Sequence, residues 1–337
     1  MSTAKIVKTT LIIGLGFLIL TTSCKSNNNI KVALMLNNMR IARWQKDKSY
    51  FLQETKKLGC EGTVVDADMN EEVQISQARD LIKQGYKVLV IAAVNSTTGA
   101  AIVRLAKENG VKTVSYDGVI NNSPLDYIVS FEDKKIGKYM AEYAVSKASA
   151  GDYIIIGGDK SNANAVQIRN GEEEVLAPYI KDGRIKITFS SYTEGWSSED
   201  AYITMKNVLK LSSEHRPVAI LASNDNMALG VIQAYEEEGI PLPLITGQDA
   251  SLDGCRSIMK NKQSMTVYKP IQKLAAKAAE IALRAAKGEK VEGEKNTIFN
   301  GMVDVPIIYV DIVKVDKNNM ESTVIADGFQ SREEILK

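Results

Sequence analysis

From residue 30 onward, short apolar runs alternate with stretches that carry helical spacing. Ile30-Lys31-Val32-Ala33-Leu34-Met35-Leu36, bounded by Asn37 and Asn38, reads as a buried parallel strand; the residues after it are apolar at Trp44, Phe51 and Leu58, with Thr55 on the same helical stripe. Further strands are predicted at about 62–66, 87–92, 111–116 and 126–131. Helices fall between them at about 71–84, 98–109 and 133–148, with Gly59, Gly85 and Gly110 where helices should stop. The second half repeats the pattern, with strands near 152–157, 185–190, 217–222, 243–247 and 264–268 and helices near 165–177, 199–211, 226–238 and 271–287. Such alternation implies parallel sheets, and its repetition implies an α/β protein of two doubly wound lobes.

The halves also echo each other locally. Val88 to Asn95 parallels Val218 to Asp225, and Thr113 to Gly118 parallels Leu244 to Asp249. Polar residues gather at the predicted strand ends: Asn37, Asn38, Asp68, Asn95 and Asp117 in the first half, Asn224, Asp249 and Lys269 in the second. Turn or cap chemistry accounts for any one of them, but not for a series on both halves. Ligands of open parallel sheets sit beyond the carboxyl ends of the strands, so two such lobes facing each other enclose a cleft. The helix opening Arg43-Trp44-Gln45-Lys46-Asp47 borders that region, and cations at the positive end of a helix dipole are a local cost that suggests a ligand. Trp44 as a core anchor beside solvated cations fits the same residues.

Composition places limits on this picture. A chain of 337 residues, 45% hydrophobic and 25% charged, is ordinary globular material, long enough for two domains. Residues 1–23 differ: Lys5 and Lys8, an apolar run from Leu11 to Leu20 and small Thr21-Thr22-Ser23 make a secretory signal too short to span a bilayer stably. Cys24 follows directly, which resembles a bacterial lipoprotein signal in which Cys24 is diacylated and becomes the mature N-terminus, with 24–29 a lipidated tether. That family places leucine where Thr21 stands, although Leu20 is one step further back; secretion with an unmodified Cys24 is the alternative. Loss of 1–23 moves the charge balance from +1 (42 cations, 41 acids) to −1 (40 cations, 41 acids), which leaves no electrostatic footprint for nucleic acid. Cys60 and Cys255 fall in different halves and are expected to be unpaired, buried thiols.

Catalytic signatures are weak. His215 lies in a polar loop between Glu214 and Arg216, and the mature chain has no Gly-x-Ser-x-Gly elbow. Gly157-Gly158-Asp159-Lys160-Ser161 lacks the spacing of a phosphate loop and reads as a turn. Asp66-Ala67-Asp68 starts like a calcium loop, but Glu71 and Gln77 stand where glycine and a bidentate glutamate belong. Neither enzyme, metal nor cofactor is expected. A neutral polyol asks for planar polar groups that bond adjacent hydroxyls and for indoles over its C–H faces; Trp44 and Trp196, the two tryptophans, fall one in each half.

Arg43-Trp44-Gln45-Lys46-Asp47, Ala222-Ser223-Asn224-Asp225, Gly247-Gln248-Asp249-Ala250 and Thr266-Val267-Tyr268-Lys269-Pro270 together resemble the bacterial periplasmic D-xylose-binding proteins of ABC sugar importers, within the type I sugar-binding superfamily. The resemblance runs from about Lys31 to Phe329. It implies two lobes joined by three crossings near 129–133, 267–270 and 303–306, with 30–130 plus 270–304 forming the N-terminal lobe and 131–269 plus 305–337 the other. It implies Trp44 and Trp196 as stacking walls, Arg43 and Lys46 as donors, and Asp117, Asn164, Asn224, Asp249 and Lys269 as cleft residues bonding sugar hydroxyls. It further implies a monomeric protein of the periplasm or cell surface that captures D-xylose or a related monosaccharide and delivers it to a membrane ABC permease; the same fold also serves sugar sensors docking on a receptor or kinase. One position departs: the family has Asp-Arg where this chain has Asp117-Gly118, which leaves Arg40 or Arg43 to supply the missing donor, or a different sugar as ligand.

Overall fold

The computed structural model describes residues 30–40, 42–211, 216–291 and 296–337, so the expected signal segment, the tether with Cys24, and His215 lie outside the described residues. The first sheet contains β1 (Lys31–Leu36), β2 (Glu61–Asp66), β3 (Val88–Ile91), β4 (Lys112–Tyr116), β5 (Tyr127–Phe131), β11 (Asn296–Phe299) and β12 (Asp304–Val310), in the order β11-β12-β5-β4-β3-β1-β2. All its pairings are parallel except β11 with β12. β1 lies between β2 and β3, so the winding reverses there. Alternate residues of β1 serve opposite faces, as the two-residue strand period requires: Val32, Leu34 and Leu36 enter one core cluster, Ala33 and Met35 another. Helices α1 (Ala42–Lys57) and α9 (Ile271–Lys287) supply the first face, α2 (Glu71–Lys83) and α3 (Ser96–Glu108) the second.

The second lobe has the same plan. Its sheet runs β7-β6-β8-β9, built from β6 (Gly151–Gly157), β7 (Ile185–Tyr192), β8 (Ala219–Ala222) and β9 (Leu244–Ile245). A parallel bridge from Gln248 to Val267 continues it to β10 (Thr266–Tyr268), which pairs antiparallel with β13 (Val313–Val315). Its helices are α4 (Asp133–Lys147), α5 (Ala163–Lys181), α6 (Ser198–Leu211), α7 (Asp225–Glu237) and α8 (Leu252–Met259), followed near the C-terminus by α10 (Arg332–Leu336).

The chain passes between lobes at Glu132, at Lys269-Pro270 and at Asp311-Ile312. The third passage lies later than the 303–306 that the resemblance implies, because β12 stays in the first sheet and pairs Ile307 to Val310 with Ile128 to Phe131 of β5. Pro306 precedes the β5 ladder, which starts at Ile307, and costs it no hydrogen bond. The internal match also shifts: the helix-capping asparagines after β3 and β8 are Asn95 and Asn224, with nearly the same backbone angles, so Asn95 corresponds to Asn224 rather than to Asp225.

Candidate ligand site at the strand ends

Two aspartates occupy corresponding corners of the two lobes. Asp117 follows β4 and donates its backbone N–H to Val129 of β5 at 2.9 Å; Asp249 follows β9 and donates to Val267 of β10 at 2.9 Å. Both hold positive φ, 58° and 95°, a conformation that costs a non-glycine residue of order 1 kcal/mol and is concentrated at functional sites. Each carboxylate faces a cation: Asp117 Oδ2 is 2.6 Å from Arg43 Nη1, and Asp249 Oδ1 is 2.8 Å from Lys269 Nζ. Arg43 and Asp117 side chains are 24% and 12% exposed, so this pair is sheltered enough to be worth more than a surface ion pair.

Behind the Arg43 pair stands a buried relay. Asp47, one helical turn on, has Oδ2 at 3.5 Å from Arg43 Nε and accepts a hydrogen bond from the Tyr116 hydroxyl. Burial opposes the Arg43 charge, but Asp117 and Asp47 outweigh it and hold the guanidinium above its ordinary value; burial pushes the Asp47 carboxyl up to about 6. The Arg43 guanidinium lies 4.6 Å from the Trp44 ring, whose own centroid is 6.2 Å from that of Tyr116. Arg43 Nη2 is buried and makes no hydrogen bond within the protein. Lys269 is likewise penalised by burial and restored by Asp249, while Arg43 and Asp117 of the other lobe also act on it, so the strand ends of both lobes share one electrostatic site.

The remaining expected residues divide. Asn224 caps α7, its Oδ1 accepting from Met227 N at 2.9 Å, which leaves its amide NH₂ for other partners. Asn164 is half-buried in the first turn of α5. Trp196 closes a short helical turn at positive φ, and its six-membered ring lies so close to Gly158 that a Cβ there would come within 2.5 Å of three ring atoms. The loop dismissed as a turn in the sequence is therefore the seat of that indole. Trp44 and Trp196 both pack on the core cluster that runs from β1 and α9 into Ile136 and Ile168 of the second lobe. Lys46 goes elsewhere: its Nζ donates to the Phe329 carbonyl at 2.8 Å and sits 4.5 Å from the Phe329 ring. Arg40 also turns away, to Asp68 at 2.5 Å on the surface, so Arg43 is the arginine beside Asp117. A Cβ on Gly118 would meet nothing within 4 Å.

Two further acidic residues escaped the sequence reading. Asp225 is fully buried, accepts from Gln263 Nε2 and from the Ser251 N–H, both at 2.8 Å, and donates its own N–H to the Gln248 carbonyl, pinning the 248–251 loop that carries Asp249. Asp133 opens α4 immediately after the first passage between lobes, and the charges acting on it are those of Lys269, Asp117, Arg43 and Asp249. Its place at the junction between β5 and α4, one residue after Glu132, was the available signal.

The family model described as the periplasmic binding protein domain matches residues 32–290. The chain is 37% identical to the D-xylose-binding periplasmic protein of Haemophilus influenzae, over 98% of this chain and 99% of that one. It is equally 37% identical to the D-xylose-binding periplasmic protein of Escherichia coli, over 94% of this chain and 96% of that one. An ABC transporter solute-binding protein of Clostridium phytofermentans, solved with bound β-D-glucose, superposes with a TM-score of 0.81 at 26% identity, covering 91% of this chain and all of that one.

Proposed function

The chain belongs to the periplasmic binding protein domain family, and on that premise we propose that it captures a neutral monosaccharide, D-xylose first among candidates, between its lobes and delivers it to an ABC permease. The observation that carries this reading is the pair of matched strand-end aspartates, Asp117 and Asp249, each beside a cation and the two within one electrostatic site. A carboxylate can accept from two neighbouring hydroxyls while the adjacent ammonium or guanidinium donates to the same oxygens or the next. Arg43, Lys269 and the Asn164 and Asn224 amides are the donors in this account, and Trp44 and Trp196 cover the C–H faces of the ring. Lys46 has a different part, fastening the C-terminal segment.

Capture proceeds by hinge bending at the three passages, with residues 30–131 plus 271–310 as one rigid lobe and 133–268 plus 313–337 as the other. Cys24 carries a lipid that tethers the protein, as a monomer, to the outside of the cytoplasmic membrane or to the periplasmic face of an outer one. Glycine at 118, where the resembled family has an arginine, removes a side chain beside Asp117, so glucose and galactose belong beside xylose in any test. A pentose has about ten heavy atoms, and micromolar affinity (about −8 kcal/mol) stays well under the ceiling of about −1.5 kcal/mol per atom for the smallest ligands. Calorimetry of the purified protein against xylose, ribose, arabinose, glucose and galactose decides: heat of binding from one or more is expected, and none from all five would overturn the reading. Intact mass of the protein recovered from membranes tests the anchor, which an unmodified Cys24 thiol would exclude.

A further inference from the structure

Arg169 carries a charge into the interior of the second lobe. It lies on α5, only 6% exposed, and its guanidinium spans the ends of two strands. Nη1 donates to Ser190 Oγ and Nη2 to the Ser191 carbonyl at 2.9 Å, both in β7, and the guanidinium carbon is 4.8 Å from the Tyr192 ring centroid. Nη2 also stands 2.7 Å from where a Cβ on Gly157 would be, so the fork lies against the last rung of the β6–β7 ladder, where Gly157 pairs with Tyr192. Past that rung both strands lead to the tryptophan. Thr193 donates its N–H to the Gly157 and Gly158 carbonyls at 2.9 and 3.2 Å, Trp196 donates its own to the Thr193 carbonyl at 3.3 Å, and Gly158 receives the indole. The helix that carries Arg169 is itself fixed. A Cβ on Gly137 of α4 would come within 1.9 Å of the Ile168 carbonyl oxygen, and one on Gly171 within 2.0 Å of that of Lys134, so α4 and α5 meet backbone to backbone on either side of Arg169.

Balancing Glu172 does not account for this arrangement. Glu172 Oε2 faces Nε at 3.4 Å, and Nε and both carboxylate oxygens are buried without a hydrogen bond, so the well-made contacts of Arg169 are those of its two Nη groups to β7. Burying a guanidinium is costly, and arginine is the side chain whose planar fork holds two acceptors at a fixed spacing. We infer that Arg169 is a positioning residue for Trp196: it fixes the ends of β6 and β7 from behind, so that Gly158 and the 193–196 turn hold the indole at the angle that covers a sugar ring. It acts on affinity through that indole and does not itself touch the ligand. The inference rests on the monosaccharide reading above and adds to it the support of the second stacking wall.

The test compares the full-length mature protein with Arg169→Met, Arg169→Lys, Glu172→Gln and Trp196→Ala. Each is titrated calorimetrically with the five sugars, and the emission and acrylamide quenching of Trp196 are read in sugar-free protein in a Trp44→Phe background. Both Arg169 variants are expected to bind at least about fivefold more weakly and to shift the Trp196 emission and quenching before any sugar is added; Glu172→Gln is expected to keep native affinity and emission. Arg169→Lys combined with Trp196→Ala is expected to bind within about twofold of Trp196→Ala alone, because the two residues act as one unit. Arg169→Lys keeps a cation beside Glu172 but cannot span both acceptors, and it carries the test if Arg169→Met fails to fold. Native affinity or native Trp196 emission in Arg169→Lys overturns the inference. A loss in Glu172→Gln equal to that in Arg169→Lys overturns it also, assigning the effect to the ion pair, and so do fully additive losses in the double variant. Absence of sugar binding by the native protein, with Trp196 emission still shifted in Arg169→Lys, removes the sugar reading and leaves the positioning of the indole in place.

Discussion

Arg43 and Asp117 meet at 2.6 Å, and the same guanidinium reaches back to Asp47, which is fully buried and bonded to Tyr116. Arg43 thus compensates two carboxylates at once, one at the cleft and one behind it. Arg43→Ala strands Asp47 in the interior and is expected to destabilise the protein by about 3–5 kcal/mol, as removal of one partner of a buried pair does. Arg43→Ala combined with Asp47→Asn is expected to recover much of that loss but not ligand affinity. Chemical denaturation of the single and double variants checks the first part, sugar titration the second.

Gly158 and Trp196 give a second prediction. With a Cβ on residue 158 coming within 2.5 Å of the indole, Gly158→Ala forces the ring to tilt or withdraw. Sugar affinity is expected to fall by about 2 kcal/mol or more, approaching the loss in Trp196→Ala, for a ring that stacks in a desolvated pocket. Tryptophan fluorescence on sugar addition reads the same event, and Trp44→Phe isolates the Trp196 signal. An affinity unchanged in both variants returns Trp196 to the core.

Lys46 ties α1 of the first lobe to Phe329, and Gln330 Nε2 in turn donates to the Ala250 carbonyl at 3.1 Å in the second. Phe329 also rests on Tyr268 of β10, ring centroids 5.0 Å apart. The C-terminal segment therefore straps the lobes together beside the Asp249 loop. Lys46→Met is expected to leave sugar affinity within about threefold, the scale of a rim contact, while speeding amide hydrogen exchange across residues 324–335. A loss of affinity as large as that in Lys269→Met would put Lys46 back among the sugar donors.

Glu172 lies wholly buried in α5 with neither carboxylate oxygen hydrogen-bonded, 3.4 Å from Arg169 Nε. Burial, opposed by Arg169, pushes its carboxyl up to about 8. The folded protein therefore holds a proton there that the unfolded chain releases near its ordinary value of 4.5. Stability from this group is fully present below about pH 4.5 and is lost as pH rises toward 8, at up to about 1.4 kcal/mol per pH unit. Glu172→Gln is expected to reduce the fall in melting temperature between pH 5 and pH 8, and an unaltered slope would contradict the assignment.

Much of this architecture is legible in the amino-acid pattern because the central strands of both main sheets pair in parallel and are buried on both faces, so they stand out as continuous apolar runs between helical spacings. What escaped has specific causes. Helix α8 is eight residues long and interrupted by Gly254, too short to show a period. Strands β11 to β13 lie after the repeating units, where no echo from the other half announces them. Asp117 and Asp249 were legible because they recur in both halves at strand ends. Asp133 was not, since an acid in the first turn of a helix is ordinary on dipole grounds alone. The fate of Lys46 depends on Phe329, nearly the whole chain away, which no local pattern encodes.

The central claim is that a neutral sugar is held between Asp117 with its arginine and Asp249 with its lysine. Titration of D-xylose into the native protein, Asp117→Ala and Asp249→Ala tests it most directly. Micromolar affinity in the native protein, lost by about 30-fold or more in each variant, is the predicted result; native-like affinity in either variant would contradict it.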